Sequence, residues 1–193
     1  MESLLHDIQK CTICKDHLPN DPLPVVRASA NSKILVVGQA PGRLVHESGI
    51  PWNDPSGNRL RDWLQVDRNL FYNPDVFALV PMGFCYPGTG TSGDYPPRKE
   101  CAPQWHEQLT EAMPEIQLTL LIGAYAQKYY LGKEMKKNLT ETVRATHEYY
   151  PKFVALPHPS TRNNIWMKKH PWFETEVLPL LRAGTQEILP SSD

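Results

Sequence analysis

The chain has 193 residues, enough for one well-buried core and short for two ordinary domains, so a single domain over residues 1–193 is expected. A formal net charge of -1 and a pI near 6.7 give no bulk attraction to nucleic acid or anionic membrane, so a nucleic-acid role needs a local basic surface. No run approaches the roughly 18–20 apolar residues of a membrane span, and MESLLHDIQK lacks the basic-then-apolar pattern of a signal peptide; a soluble cytoplasmic protein, not bound to membrane, is expected.

In chain order, the first pattern is a CxxC at Cys11 and Cys14, followed by the stiff segment NDPLP. The apolar run Lys33 to Val37 predicts a buried strand that ends directly in GQAPGRLVHESGIPW, residues 38–52. GQAPG is neither a GxGxxG dinucleotide turn nor a phosphate loop ending in GK[ST]. Gly38 and Gly42 let the backbone approach a ligand closely and Pro41 stiffens the turn, although the pentapeptide alone reads as a tight strand-to-helix connection. Trp52, introduced by Gly49 and Pro51, is either a stacking platform over a cavity or a core residue; spacing does not choose.

Leu60, Trp63 and Leu64 share one face of a helix predicted over Ser56 to Val66, and a second strand follows over Val76 to Val80. Cys85 and Cys101 then bracket fifteen residues, YPGTGTSGDYPPRKE, in which no helix or strand is predicted. A loop of that length counts against a compact fold unless something ties it down. Next come a helix over Pro103 to Met113, a strand over Leu118 to Ile122, a helix over Ala124 to Leu131 and a strand over Phe153 to Leu156.

That last strand gives way to PHPS, where His158 stands between two prolines. A lone histidine is more often structural than catalytic, but one at a strand's carboxyl end suits an acid or hydrogen-bond donor. Ser160, Thr161, Arg162, Asn163 and Asn164 offer donors for phosphate oxygens, or simply cap a solvated helix. Phe173, Val177, Leu180 and Leu181 repeat at helical spacing, Pro179 must kink or shorten that helix, and Pro190 to Asp193 are expected to fray.

Alternating strands and helices predict an α/β fold: a three-layer α/β/α sandwich around a central, mostly parallel four-stranded sheet. Ligands in such sheets bind outside the carboxyl ends of the strands, so GQAPG, PMGFC, IGAYAQ and PHPSTRNN are expected to converge on one site. A zinc ribbon would want two close cysteine pairs, and a disulfide is unexpected without a secretory signal. One metal centre joining the CxxC to both ends of the 86–100 loop would tie that loop down, and four thiolates suit zinc or an iron-sulfur cluster; four unrelated buried thiols are the alternative.

Together these residues resemble the uracil-DNA glycosylase superfamily, most closely its iron-sulfur branch, family four, over nearly the whole chain. GQAPG is similar to that branch's Gly-Glu-x-Pro-Gly, SGIPW occupies the place of its Thr-Gly-x-Pro-Phe, and PHPS resembles a second motif beginning His-Pro. The CxxC followed by two cysteines sixteen positions apart is similar to the branch's 4Fe-4S ligand set.

The resemblance implies a monomeric DNA glycosylase that flips out and hydrolytically releases uracil or a related deaminated base, leaving an abasic site. It implies that Gln39 and Ala40, flanked by Gly38, Pro41 and Gly42, present backbone groups to the base, that Trp52 stacks on it, and that His158 contacts its O2. Cys11, Cys14, Cys85 and Cys101 would hold the 4Fe-4S cluster. The N–H groups after Gly42, with Ser160, Arg162 and Asn163, would contact flanking DNA.

Two departures stand out. Ala40 replaces the water-positioning acid of the best-known branch, which leaves His46 or Glu47 to orient the water. PMG replaces the asparagine that reads the pyrimidine edge, which puts Met82 there, with Asn53 as a candidate substitute. The basic, histidine-containing insert of the branch trapped covalently on DNA is absent, so no covalent adduct is expected. Losing the acid and the asparagine motivates a competing expectation, a catalytically weak or inactive nucleic-acid-binding member of the fold with a structural iron-sulfur cluster. A nucleotide-binding α/β protein with a zinc site is the third.

Overall fold

Short aliphatic runs with no polar alternation have to be covered on both faces, and the computed structural model of the chain, which describes residues 1–91 and 93–189, shows how. The expectation for Pro190 to Asp193 lies outside the described residues. In chain order the main elements are α1 (Glu2–Gln9), β1 (Ile34–Val37), α2 (Arg43–Ser48), α3 (Pro55–Leu64), α4 (Arg68–Phe71) and β2 (Phe77–Leu79). They continue with β3 (Thr89–Gly90), β4 (Gly93–Asp94), α5 (Cys101–Glu111), β5 (Leu118–Ile122), α6 (Ala124–Leu131), α7 (Leu139–Arg144), β6 (Phe153–Leu156), α8 (Asn164–Lys169) and α9 (Leu178–Ile188).

The central sheet has four strands in the order β2-β1-β5-β6, and every pairing is parallel. Leu35 pairs with Ala78 on one side and Thr119 on the other, so β1 is the point from which the chain winds in both directions. Strand side chains alternate between two cores. Ile34, Val36, Phe77, Leu79, Leu120 and Leu156 meet α3 and α9 through Leu60, Leu64 and Leu181. Leu35, Val37, Ala78, Leu121 and Ala155 meet α1, α5 and α6 through Ile8, Leu109 and Ala126. This is the expected α/β/α sandwich, with a fully parallel central sheet.

The edge of β2 is covered by the segment that carries the CxxC toward Cys85. Arg27 and Leu79 exchange backbone hydrogen bonds of 3.1 and 2.7 Å, and the Val25 N–H donates to the Phe84 carbonyl at 2.7 Å. The α-helix expected from Phe173 onward is shortened, as α9 begins only at Leu178. Pro179 sits in the first turn of α9, where a missing N–H costs nothing, directly after a π-helical stretch over Phe173–Val177.

Two expectations fail. The 86–100 segment is not featureless: β3 and β4 form an antiparallel hairpin, with Thr89 opposite Asp94 and Gly90 opposite Gly93. Pairs of two residues, half of them glycine, carry no periodic apolar signal. The IGAYAQ segment also leaves the convergence of strand ends. Gly123, at φ +85°, turns the chain into α6, and the buried Gln127 amide donates to the carbonyls of Leu156 (2.9 Å) and Leu121 (3.3 Å). Those bonds join β5 to β6 and direct the segment inward.

Candidate active site

The segments after β1, β2 and β6 surround a cavity of about 390 Å³, within the roughly 300–1,000 Å³ of small-molecule sites. GQAPG supplies Gly38 to Gly42, the exit of β2 supplies Pro81, and the exit of β6 supplies His158, Ser160, Arg162 and Asn163. Trp52 and Asp54 close one side, and Gly93 and Asp94 of the hairpin close another.

Trp52 is held by its backbone. It adopts the left-handed conformation at φ +57°, and the Tyr72 hydroxyl fixes the preceding Pro51 carbonyl at 2.8 Å. The Trp52 carbonyl rests on Gly57 of α3, where a side chain would overlap it, while the indole lies flat on Gly38. The ring also packs on the core and faces His158, with ring centres 5.7 Å apart and planes 28° from parallel. Trp52 thus packs on the core and lines the cavity with one ring.

The His158 loop is braced from two sides. The Asn163 amide donates to the His158 carbonyl at 2.7 Å. Arg59 reaches over from α3 to donate to the Ser160 carbonyl (3.0 Å) and the Asn164 side chain (2.9 Å). Burial lowers the pKa of His158, and Asp54 and Asp94 oppose that through space. Burial is the larger effect, so near neutral pH the imidazole is uncharged and can offer one N–H.

Several residues singled out from sequence stand elsewhere. Glu47 pairs with Arg43 one helical turn away on the exposed face of α2. His46 turns toward Tyr86, ring centres 5.7 Å apart, and its Nδ1 is buried with no partner among the described residues. Asn53 accepts from Arg68 at 3.0 Å, and Met82 is buried in the core beneath the sheet's other face. None of these four lines the cavity. The Gln39 side chain donates to the Tyr95 carbonyl at 3.1 Å and so clamps GQAPG to the hairpin.

The model of the Uracil DNA glycosylase superfamily matches residues 26–182. The chain belongs to the uracil-DNA glycosylase superfamily. Three strand ends around one cavity thus form the candidate active site of a superfamily member. Asp54, Asp94 and Arg59 are site residues that sequence reasoning missed. Asp54 had a local signal, since Asp-Pro at a helix start marks an N-cap, and its carboxylate accepts from the Gly57 N–H at 2.8 Å. Asp94 and Arg59 had none.

A second, smaller cavity in this superfamily member is lined by Cys11, Cys14, Cys85 and Cys101, together with Phe84, Arg98 and Trp105. All four thiols are free, and among the described residues no three His, Cys, Asp or Glu side chains are spaced to hold a single metal ion. Burial pushes the Cys101 thiol up to about 12 and the Cys85 thiol up to about 11, with neighbouring cysteines adding to both. The Cys14 thiol is raised as well, by burial and then by Glu100, which Arg98 pairs with at 2.8 Å. Trp105 brings a buried indole N–H that has no acceptor among the described residues. A cationic or sulfur-rich group would suit this lining, because it favours the thiolates and supplies an acceptor.

Proposed function

We propose that the protein is a DNA glycosylase that flips uracil or a related deaminated base into the 390 Å³ cavity and releases it by hydrolysis. The observation that carries this reading is the meeting of Trp52 and His158 in the wall of one cavity at the strand ends. Trp52 offers a flat face that recovers part of the unstacking cost. Breaking the N-glycosidic bond leaves negative charge on the base, and an N–H from neutral His158 stabilises that charge more in the transition state than in the ground state.

Of the branches in the superfamily, the iron-sulfur one fits best. Its cluster would be held by Cys11, Cys14, Cys85 and Cys101, which line one cavity. A 4Fe-4S cluster there acts as a covalent staple between the N-terminal segment and both ends of the 86–100 loop. The buried indole N–H of Trp105, in the same lining, would be a donor for such a cluster.

The test is incubation of the purified protein with single- and double-stranded oligonucleotides carrying uracil, hypoxanthine or xanthine, followed by alkaline cleavage of abasic sites. Base release from at least one is expected, and no release from any of them overturns the reading. The absence of an acid at Ala40 favours one alternative, a non-catalytic binder on the same fold; it requires tight binding of such an oligonucleotide with no release and no effect of His158→Ala.

A further inference from the structure

The first motif offers no acid, since Ala40 stands in its place, and His46 and Glu47 lie outside the cavity. Two carboxylates do line it, Asp54 and Asp94. They are not equivalent. Asp54 is the N-cap of α3, and its Oδ1 holds the Gly57 N–H at 2.8 Å beneath the Trp52 turn. Its charge is committed to the positive end of a helix.

Asp94 comes from the hairpin, on the side of the cavity facing GQAPG. Its Oδ1 accepts from the Thr89 hydroxyl at 2.6 Å, and Thr89 Oγ1 lies 2.6 Å from the Tyr86 hydroxyl. Thr89 has one proton and gives it to the carboxylate, so Tyr86 donates to Thr89 and the three groups form a directed chain. The second oxygen, Oδ2, stands 3.3 Å from where a Cβ of Gly42 would be, so it is turned toward the bare backbone of the first motif. Gln39 fixes the next residue through the Tyr95 carbonyl at 3.1 Å, and the Arg162 guanidinium packs directly on Gly93, leaving no room for a Cβ. Both motifs therefore grip the hairpin at Asp94.

We infer that Asp94, carried by the hairpin between Cys85 and Cys101, is the carboxylate that orients and deprotonates the attacking water in place of the acid missing at Ala40. The inference rests on the glycosylase reading above. In the step it serves, the bond from C1′ to the base nitrogen breaks and its electron pair leaves with the base. The water oxygen forms the new bond to C1′, and the water proton passes to Asp94 Oδ2 and then to solvent. A carboxylate charge beside the reacting sugar would also favour its cationic form before the water attacks.

On this view the long loop is more than a tether. Its two ends are cysteines of the candidate metal centre, and its middle supplies a group to the reacting atoms. Coupling follows from the connectivity: loosening the cysteines frees the strand that carries the carboxylate.

The experiment is single-turnover base release from the oligonucleotide that the wild-type protein acts on, with binding of the same strand carrying an abasic-site analogue measured in parallel. Asp94→Asn is expected to lose on the order of 100-fold or more in rate, the usual contribution of a positioned base, with affinity for the analogue little changed. Asp94→Ala is expected to behave alike and to recover part of its rate in added formate, which can stand in for the missing carboxylate. A wild-type protein that releases a base while Asp94→Asn stays within about threefold of it overturns the inference. So does a loss confined to Asp54→Asn, which moves the role to Asp54. An Asp94→Ala loss that formate leaves untouched and that weakens analogue binding equally also overturns it, because the hairpin would then only shape the DNA surface. A wild-type protein inactive on every lesion removes the glycosylase reading itself, and this inference with it.

Discussion

Gly57→Ala reverses the usual sign of a helix substitution. In an unobstructed helix the change gains up to about 1 kcal/mol. Here the new Cβ would overlap the Trp52 carbonyl oxygen and stand 2.7 Å from its carbonyl carbon and 2.9 Å from its Cβ. The obstruction is backbone, and that backbone is already fixed by the Tyr72 hydroxyl at Pro51 and by Arg61 at the Trp52 carbonyl, so it cannot turn aside as a side-chain end would. Overpacking of this kind costs about 3 kcal/mol at the upper end of its range, which leaves a net loss of about 2 kcal/mol. For a chain of this size that lowers Tm by about 4–8 °C. Relief requires the Trp52 turn to move off α3 and the indole off Gly38, and a displacement near 1 Å can cost about 100-fold in rate. Gly49→Ala is the control: it strains a left-handed residue at φ +65° but meets no atom within 4 Å. Thermal unfolding and single-turnover base release on both variants check the reasoning. Gly49→Ala should lose stability and keep its rate, whereas Gly57→Ala should lose both. An unchanged or raised Tm for Gly57→Ala, or a wild-type rate, refutes the account of how Trp52 is held.

Other outcomes follow from the same contacts. Arg59→Ala removes two hydrogen bonds from the His158 loop and should lower base release by about 10- to 100-fold with a smaller effect on Tm, read in the same assay. Cys85→Ser should lower both bound iron and Tm, since binding of a metal centre is coupled to folding; full metal content with unchanged unfolding refutes the staple. Burial lowers the pKa of His106 to about 4, and its Nε2–H is held by the Pro81 carbonyl at 3.0 Å. The unfolded chain therefore takes up a proton near pH 6.5 that the native state refuses until about pH 4, so stability falls as pH falls through that window. The loss between pH 7 and pH 5 is about 2 kcal/mol, seen as a lower urea midpoint, and it should shrink in His106→Asn; an identical pH dependence in the two proteins counts against it.

The strands were legible because burial on both faces leaves nothing but aliphatic runs. Leu118–Ile122 and Phe153–Leu156 coincide with the sequence reading, and β1 and β2 differ from it only at their ends. The start of α3 was harder to place, since Asp54 and Pro55 open it one residue before the apolar stripe gives a signal. At the site, the residues legible in sequence were those whose local chemistry is unusual: glycines and a proline after β1, an aromatic after Gly-Ile-Pro, and a histidine between prolines. Trp52 and His158 do meet. His46 and Glu47 were weighed as water ligands on proximity along the chain, and a helix defeats that argument by pointing successive side chains about 100° apart. Glu47 ends on the solvent face and His46 under the hairpin.

Contacts illegible in sequence share one property: their partners are distant along the chain. Arg59 acts on Ser160 and Asn164, Gln39 on Tyr95, and Asp94 on a cavity whose other walls begin at Val25 and end at Asn163. No window of sequence contains such a pair, so periodicity and spacing are blind to it. The cysteine pattern came closest to a long-range signal, because thiols draw attention at any separation: Cys11, Cys14, Cys85 and Cys101 line one cavity. What it could not show is the direction the loop takes. Between Cys85 and Cys101 the Thr89–Asp94 pairing folds back over GQAPG, and the Gln39 and Arg162 contacts then decide which hairpin residue meets the cavity. Glycine at 42 leaves the space into which Asp94 is turned, with its Oδ2 3.3 Å from where a Cβ would stand.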